Sequence, residues 1–106
     1  MAWIESHQQM KDHPKTKRLA KLLGISIPTA IGHMHCLWYW ALEYAQDGNL
    51  TDFTPDEIAE AALWGGSAQA FVDALIGCGV GGGAGFLDGD PLRVHDWYDY
   101  AGKLLE

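Results

Sequence analysis

The stretch from Pro28 to Ala45, PTAIGHMHCLWYWALEYA, restricts the fold more than any other part of the chain. Ile27, Ala30, Ile31, Met34, Leu37, Trp38, Ala41, Leu42 and Ala45 recur at intervals of three and four, the spacing that lines one face of an α-helix. Cys36, Tyr39, Trp40 and Tyr44 flank that face, which leaves only Thr29, Gly32, His33, His35 and Glu43 for a wet edge. A helix apolar nearly all round is expected to be enclosed by its neighbours. A glutamate, two histidines and a proline interrupt the run, and no second span follows it. The expectation is therefore a central core helix of a soluble domain, not a membrane span.

With 106 residues there is enough chain for one core and not for two, so a single domain over 1–106 is expected. Apolar residues make up 48% and charged residues 20%, which places the sequence among chains that fold. Cys36 and Cys78 both fall in or beside apolar helical patterns, and Met1 to Met10 lacks the apolar region of a signal peptide. These features point to a reducing cytoplasm with free, buried thiols, with a disulfide between the two left open. The net charge of −7 is unevenly spread. Residues 1–21 carry five cations against two acids, whereas residues 22–106 carry only Arg93 and Lys103 against twelve. An acidic body with one basic patch approaches a polyanion in one orientation and with few phosphate contacts.

Taken in order, residues 1–13 read as an irregular arm anchored by Trp3. From Pro14, Leu19, Ala20 and Leu23 share one face of an amphipathic helix, with Lys15, Lys17, Arg18 and Lys21 on the remaining arc. Asp12 or His13 suits its N-cap and Gly24 its end. Ser26 caps the central helix, with Pro28 in its first turn, and Asp47-Gly48-Asn49 ends it. Leu50 to Phe53 reads as a short bridging strand. Thr54 and Glu57 have capping-box spacing and Pro55 stands at the first helical position, so a helix is expected to run to Trp64 and break at Gly65-Gly66. Ser67 caps the next helix, with Phe71, Val72, Leu75 and Ile76 as its buried stripe. Two such helices across a tight turn have the pattern of a helix-turn-helix. Residues 77–85 read as a mobile glycine-rich connector. Residues 86–96 read as a hairpin about Gly89-Asp90-Pro91. Residues 97–106 read as a last helix started by Asp96 and Asp99, with Trp97, Tyr100, Ala101 and Leu104 on one face. The fold class is thus mainly α with a small β-hairpin, in the order of a winged helix.

Constellations with chemical potential are few. Gly77-Cys78-Gly79-Val80-Gly81-Gly82 satisfies GxGxxG, but a dinucleotide loop needs a strand before it and a helix after it, and here the order is reversed. His33 and His35 point to nearly opposite sides of one helix, and His33 with Cys36 supplies only two ligands, which argues against a metal. His95 and the aspartates at 88, 90, 96 and 99 have no nucleophile to serve. The residues therefore argue against an enzyme, a cofactor, a metal site and a small-molecule substrate.

Trp3-Ile4-Glu5-Ser6-His7, His13-Pro14-Lys15-Thr16, Ala30-Ile31-Gly32-His33, Leu37-Trp38-Tyr39-Trp40, Asp47-Gly48 and Leu92 to Tyr98 carry a resemblance. Together these segments, spread from Trp3 to Tyr98, resemble the N-terminal winged-helix domain of phage replisome organisers and DnaD-like primosome proteins, and the resemblance covers nearly the whole chain. The resemblance implies a part in phage or bacterial DNA replication, where such domains bind DNA or self-associate ahead of a C-terminal region. The glycine run at 81–85 departs from that pattern as an insertion before Phe86.

Two functions follow as expectations. The first is DNA binding, with phosphate contacts from Lys15, Lys17, Arg18, Lys21 and Arg93. Readout by the second helix of the helix-turn-helix would fall to Ser67, Gln69 and Asp73, with no arginine or lysine among them. The second is a protein-interaction or oligomerisation module that contacts itself or another replication protein. Five tryptophans in this short chain and its acidic body favour that reading.

Overall fold

The computed structural model describes residues 12–97. The expected arm with Trp3 and the expected last helix beyond Trp97 lie outside the described residues.

Helix α1 spans Pro14–Leu23, α2 Ile27–Tyr44, α3 Pro55–Ala61 and α4 Ala68–Gly77, followed by strands β1 (Leu87–Gly89) and β2 (Leu92–Val94). The helix starts are the ones the sequence signals. His13 Nδ1 accepts from the Lys15 amide at 3.1 Å, Ser26 Oγ from the Thr29 amide at 3.3 Å, and Ser67 Oγ from the Ala70 amide at 3.2 Å. Thr54 and Glu57 form a reciprocal capping box, each side chain taking the other's backbone N–H. Gly24, at φ 68°, ends α1 and lets the Ile25 amide reach back to the Ala20 carbonyl.

The end of α3 corrects the sequence reading. The helix stops at Ala61, before Gly65-Gly66, because Leu63 takes a left-handed conformation at φ 59°. The Leu63 amide donates to Glu60 and the Trp64 amide to Ala59, the pairing usually completed by glycine at that position. The chain turns there, and Trp64 stacks on Phe71 of α4 at 5.2 Å between ring centroids.

Leu19, Met34, Leu37, Trp38, Leu42, Ile58, Phe71, Leu75, Leu87, Val94 and Trp97 all belong to one buried cluster. Helix α1 packs on α2 and α4, α3 packs on the same two helices, and β1 packs on α4, so the core is enclosed by all four helices and the hairpin. The expected joint burial of Trp38, Leu42, Phe71 and Leu75 is observed. Full enclosure of α2 is not: Tyr39 and Tyr44 are 54% and 64% exposed and Trp40 is half-buried. Phe53 packs on Trp40, while Tyr39 and Tyr44 lie at the surface.

The glycine-rich segment after α4 closes into a tight return loop containing a 3-10 turn at Val80–Gly82. A Cβ at Gly79 would strike the Gly83 carbonyl, and one at Gly85 the Leu75 carbonyl. Close approach of backbone to backbone accounts for both glycines. The Phe86 amide then donates to Leu75 at 2.8 Å, leading into the antiparallel hairpin with Leu87 opposite Val94 and Asp88 opposite Arg93. The bridging strand expected at 50–53 lies slightly earlier. Asn49 bridges Arg93, the Leu50 amide donates to Leu92 and the Val94 amide to Gly48. Residues 48–50 thus extend the hairpin by one short edge.

Candidate functional site

The cations of α1 divide into two groups. Lys17, Arg18 and Lys21 are exposed, and none of them forms an ion pair among the described residues. Lys15 is half-buried and held elsewhere. Its Nζ donates to the Gly85 carbonyl at 3.0 Å and stands 5.2 Å from the centre of the Phe86 ring. The ammonium thereby ties α1 to the base of the hairpin, and it is a positioning residue more than a surface charge. Arg93, on β2, is exposed, with its backbone engaged by the Asn49 bridge.

The outward side of α4 is weakly equipped for base contacts. Ser67 is spent on capping, and Gln69 Nε2 donates to Asp73 Oδ1 at 2.9 Å. Gln69, Ala70, Asp73 and Gly77 are its exposed positions, none of them cationic. The five expected phosphate-contacting residues and the three expected α4 residues therefore sit in different settings. Four cations are free to meet an anion, while the polar groups of α4 are occupied by one another or by backbone.

The histidines have structural settings. A carbonyl only accepts, so His33 Nδ1 donates to Ala62 at 2.8 Å, and its ring meets Trp64 and Phe71 edge-on. His35 Nδ1 donates to Ile31 at 2.9 Å, and its ring packs near Trp38 and Tyr39. The two rings thus face different surroundings. His95 lies between Asp88 and Asp96, 2.8 and 3.3 Å from their carboxylate oxygens. Cys36 and Cys78 are both free. Burial pushes the Cys78 thiol up in pKa, against the Phe86 backbone and the nearby Lys15 and Arg18 charges.

Sequence reasoning missed a groove of about 460 Å³ at the C-terminal end of α2, lined by Glu43, Tyr44, Ala45, Gln46, Asp47, Asn49, Asp52 and Phe53. The Trp40 ring stands beside it, 4.6 Å from Phe53 and 5.9 Å from Tyr44 between centroids. The crowding of Glu43, Asp47 and Asp52 around two aromatic residues next to a helix breaker was the available signal. Among the described residues no group of three or more His, Cys, Asp or Glu could hold a metal ion, so these carboxylates do not converge on one point. None of the described helices is long and apolar enough to cross a membrane.

Comparison with protein-family models, with curated proteins and with solved structures finds no match for this chain.

Proposed function

We propose that the chain is a winged-helix domain of phage or bacterial DNA replication that touches DNA through phosphates alone. The order of α2, α3, α4 and a two-stranded hairpin supports the winged-helix reading, with α3 and α4 as the helix-turn-helix and β1–β2 as the wing. One contrast carries the functional reading. Lys17, Arg18, Lys21 and Arg93 are exposed and unpaired among the described residues, whereas α4 exposes no cation. Phosphate contacts orient a protein on a duplex without reading its sequence. The Lys15–Gly85 bond supports the same reading by fixing α1 beside the root of the wing.

Duplex titration of three proteins tests it. Charge reversal by Lys17→Glu with Lys21→Glu should abolish binding, whereas Gln69→Ala should leave it within about twofold, less than the roughly tenfold or more that loss of a base contact brings. Loss of binding in Gln69→Ala would contradict the proposal.

A second reading, a protein-interaction module, draws on the acidic groove at the end of α2 and the exposed rings of Tyr39 and Tyr44. Aromatic residues at a surface favour protein contact, and carboxylates repel nucleic acid.

A further inference from the structure

We propose that the acidic groove at the end of α2 receives the basic face of α1 from a second copy of the chain, giving self-association. The proposal rests on the protein-interaction reading and names its partner; it uses the same α1 cations as the DNA reading, so DNA and a second copy would compete for that face.

The groove is built against local electrostatics. Glu43 lies in the last turn of α2 and Asp47 just beyond it, where the helix dipole already presents negative charge; neither that turn nor the groove lining carries a basic residue, and the neighbouring Arg93, bridged to Asn49, forms no ion pair among the described residues. Acids at that end raise the energy of the isolated domain, and an external cation relieves it. The carboxylates of Glu43, Asp47 and Asp52 are spread around the groove without converging, an arrangement that suits several separated cationic groups better than a single ion. Tyr44 and Phe53 add ring faces on which a guanidinium or ammonium group can rest.

The same chain carries the complement. Lys17 and Lys21 are four residues apart on α1, Arg18 lies beside them, and all three are exposed. They cannot fill their own groove. Lys21 lies near the start of α2, since only Gly24 to Ser26 separate the helices. The groove lies past the other end of α2, and its 18 residues make a rod about 27 Å long, beyond the reach of a lysine side chain. Two complementary patches, unpaired among the described residues and lying at opposite ends of one helix, can meet reciprocally in an antiparallel two-fold dimer or repeat head to tail as a ring or a filament.

Sedimentation velocity on the full chain, without nucleic acid, tests this. The wild type should associate with rising concentration at low salt and revert to monomer near 1 M salt, where the screening length is about 3 Å. Lys17→Gln/Lys21→Gln loses the basic face, and Glu43→Gln/Asp52→Asn loses the groove. Each should sediment as a monomer, with a wild-type thermal transition to show that it is folded. Mixed in equal amounts, each retains one good face, so the pair should form a 1:1 heterodimer and nothing larger. A monomeric wild type at low salt, a mixture that stays monomeric, or either variant still associating alone would overturn the proposal. A monomeric wild type whose groove binds an arginine- and lysine-rich peptide probe would also overturn it, while leaving the interaction-module reading standing with another partner.

Discussion

Lys15 Nζ donates to the carbonyl oxygen of Gly85, seventy residues further along the chain, at 3.0 Å. This contact separates Lys15 from its neighbours Lys17 and Arg18, which share its charge but face solvent. A half-buried, charge-assisted bond of this kind contributes roughly 1 to 2 kcal/mol. Lys15→Met should therefore lower the thermal transition by several degrees and change DNA affinity little. Lys17→Met should do the reverse. Chemical denaturation and a duplex titration of the two variants check both halves.

Trp38 is 1% exposed at the centre of α2, with its ring 6.2 Å from that of Phe86. Replacing it by alanine should cost about 3 to 5 kcal/mol, a large share of the stability of a domain of this size. An unchanged melting temperature would mean that α2 is not the core helix.

Local signals explain why much of this fold could be read from the sequence. Ser26, Thr54 with Glu57, Ser67 and Gly24 act within a few residues of themselves, and each ends or starts a helix where expected. The periodicity of Leu37, Trp38, Ala41 and Leu42 likewise identifies the buried face of α2. What escaped depends on distant partners. Nothing near Lys15 announces Gly85, and nothing near Gly85 shows that the Leu75 carbonyl will lie against it. The exposure of Tyr39 and Tyr44 depends on which face of α2 its neighbours leave uncovered, and periodicity cannot show that when both faces are apolar.

Leu63 holds a left-handed backbone at φ 59° while its side chain is 73% exposed. A side chain in that conformation costs about 1 kcal/mol relative to glycine. Leu63→Gly should accordingly raise stability by about that amount in a urea titration. A loss of stability would show that the leucine side chain makes a contact worth more than the strain it carries.

Thr16 is fully buried in α1, and its Oγ1 has no hydrogen-bond partner among the described residues. Burying a hydroxyl unpaired costs about 1 to 3 kcal/mol, so Thr16→Val, which keeps the shape and removes the hydroxyl, should stabilise the fold by roughly 1 kcal/mol. Thermal unfolding of the variant decides the matter, and a lower transition would count against this assignment.

Burial raises the pKa of Cys78, which favours the protonated thiol in the folded state. Its contribution to stability is therefore complete below the ordinary thiol value of about 8.5 and is lost as pH rises through the higher folded value. At about pH 8, alkylation of the native protein should modify the half-buried Cys36 well before Cys78. Mass spectrometry of the labelled peptides reports the order, and equal labelling would contradict it.

The salt dependence of duplex binding tests the central claim most directly. Lys17, Arg18, Lys21 and Arg93 are the four described cations that face solvent. Counterion release of about 0.9 per neutralised phosphate gives a slope no steeper than roughly −4 in log affinity against log salt, the same for unrelated duplex sequences. No binding at low salt, or an affinity that hardly changes with salt and depends on base sequence, would contradict the account.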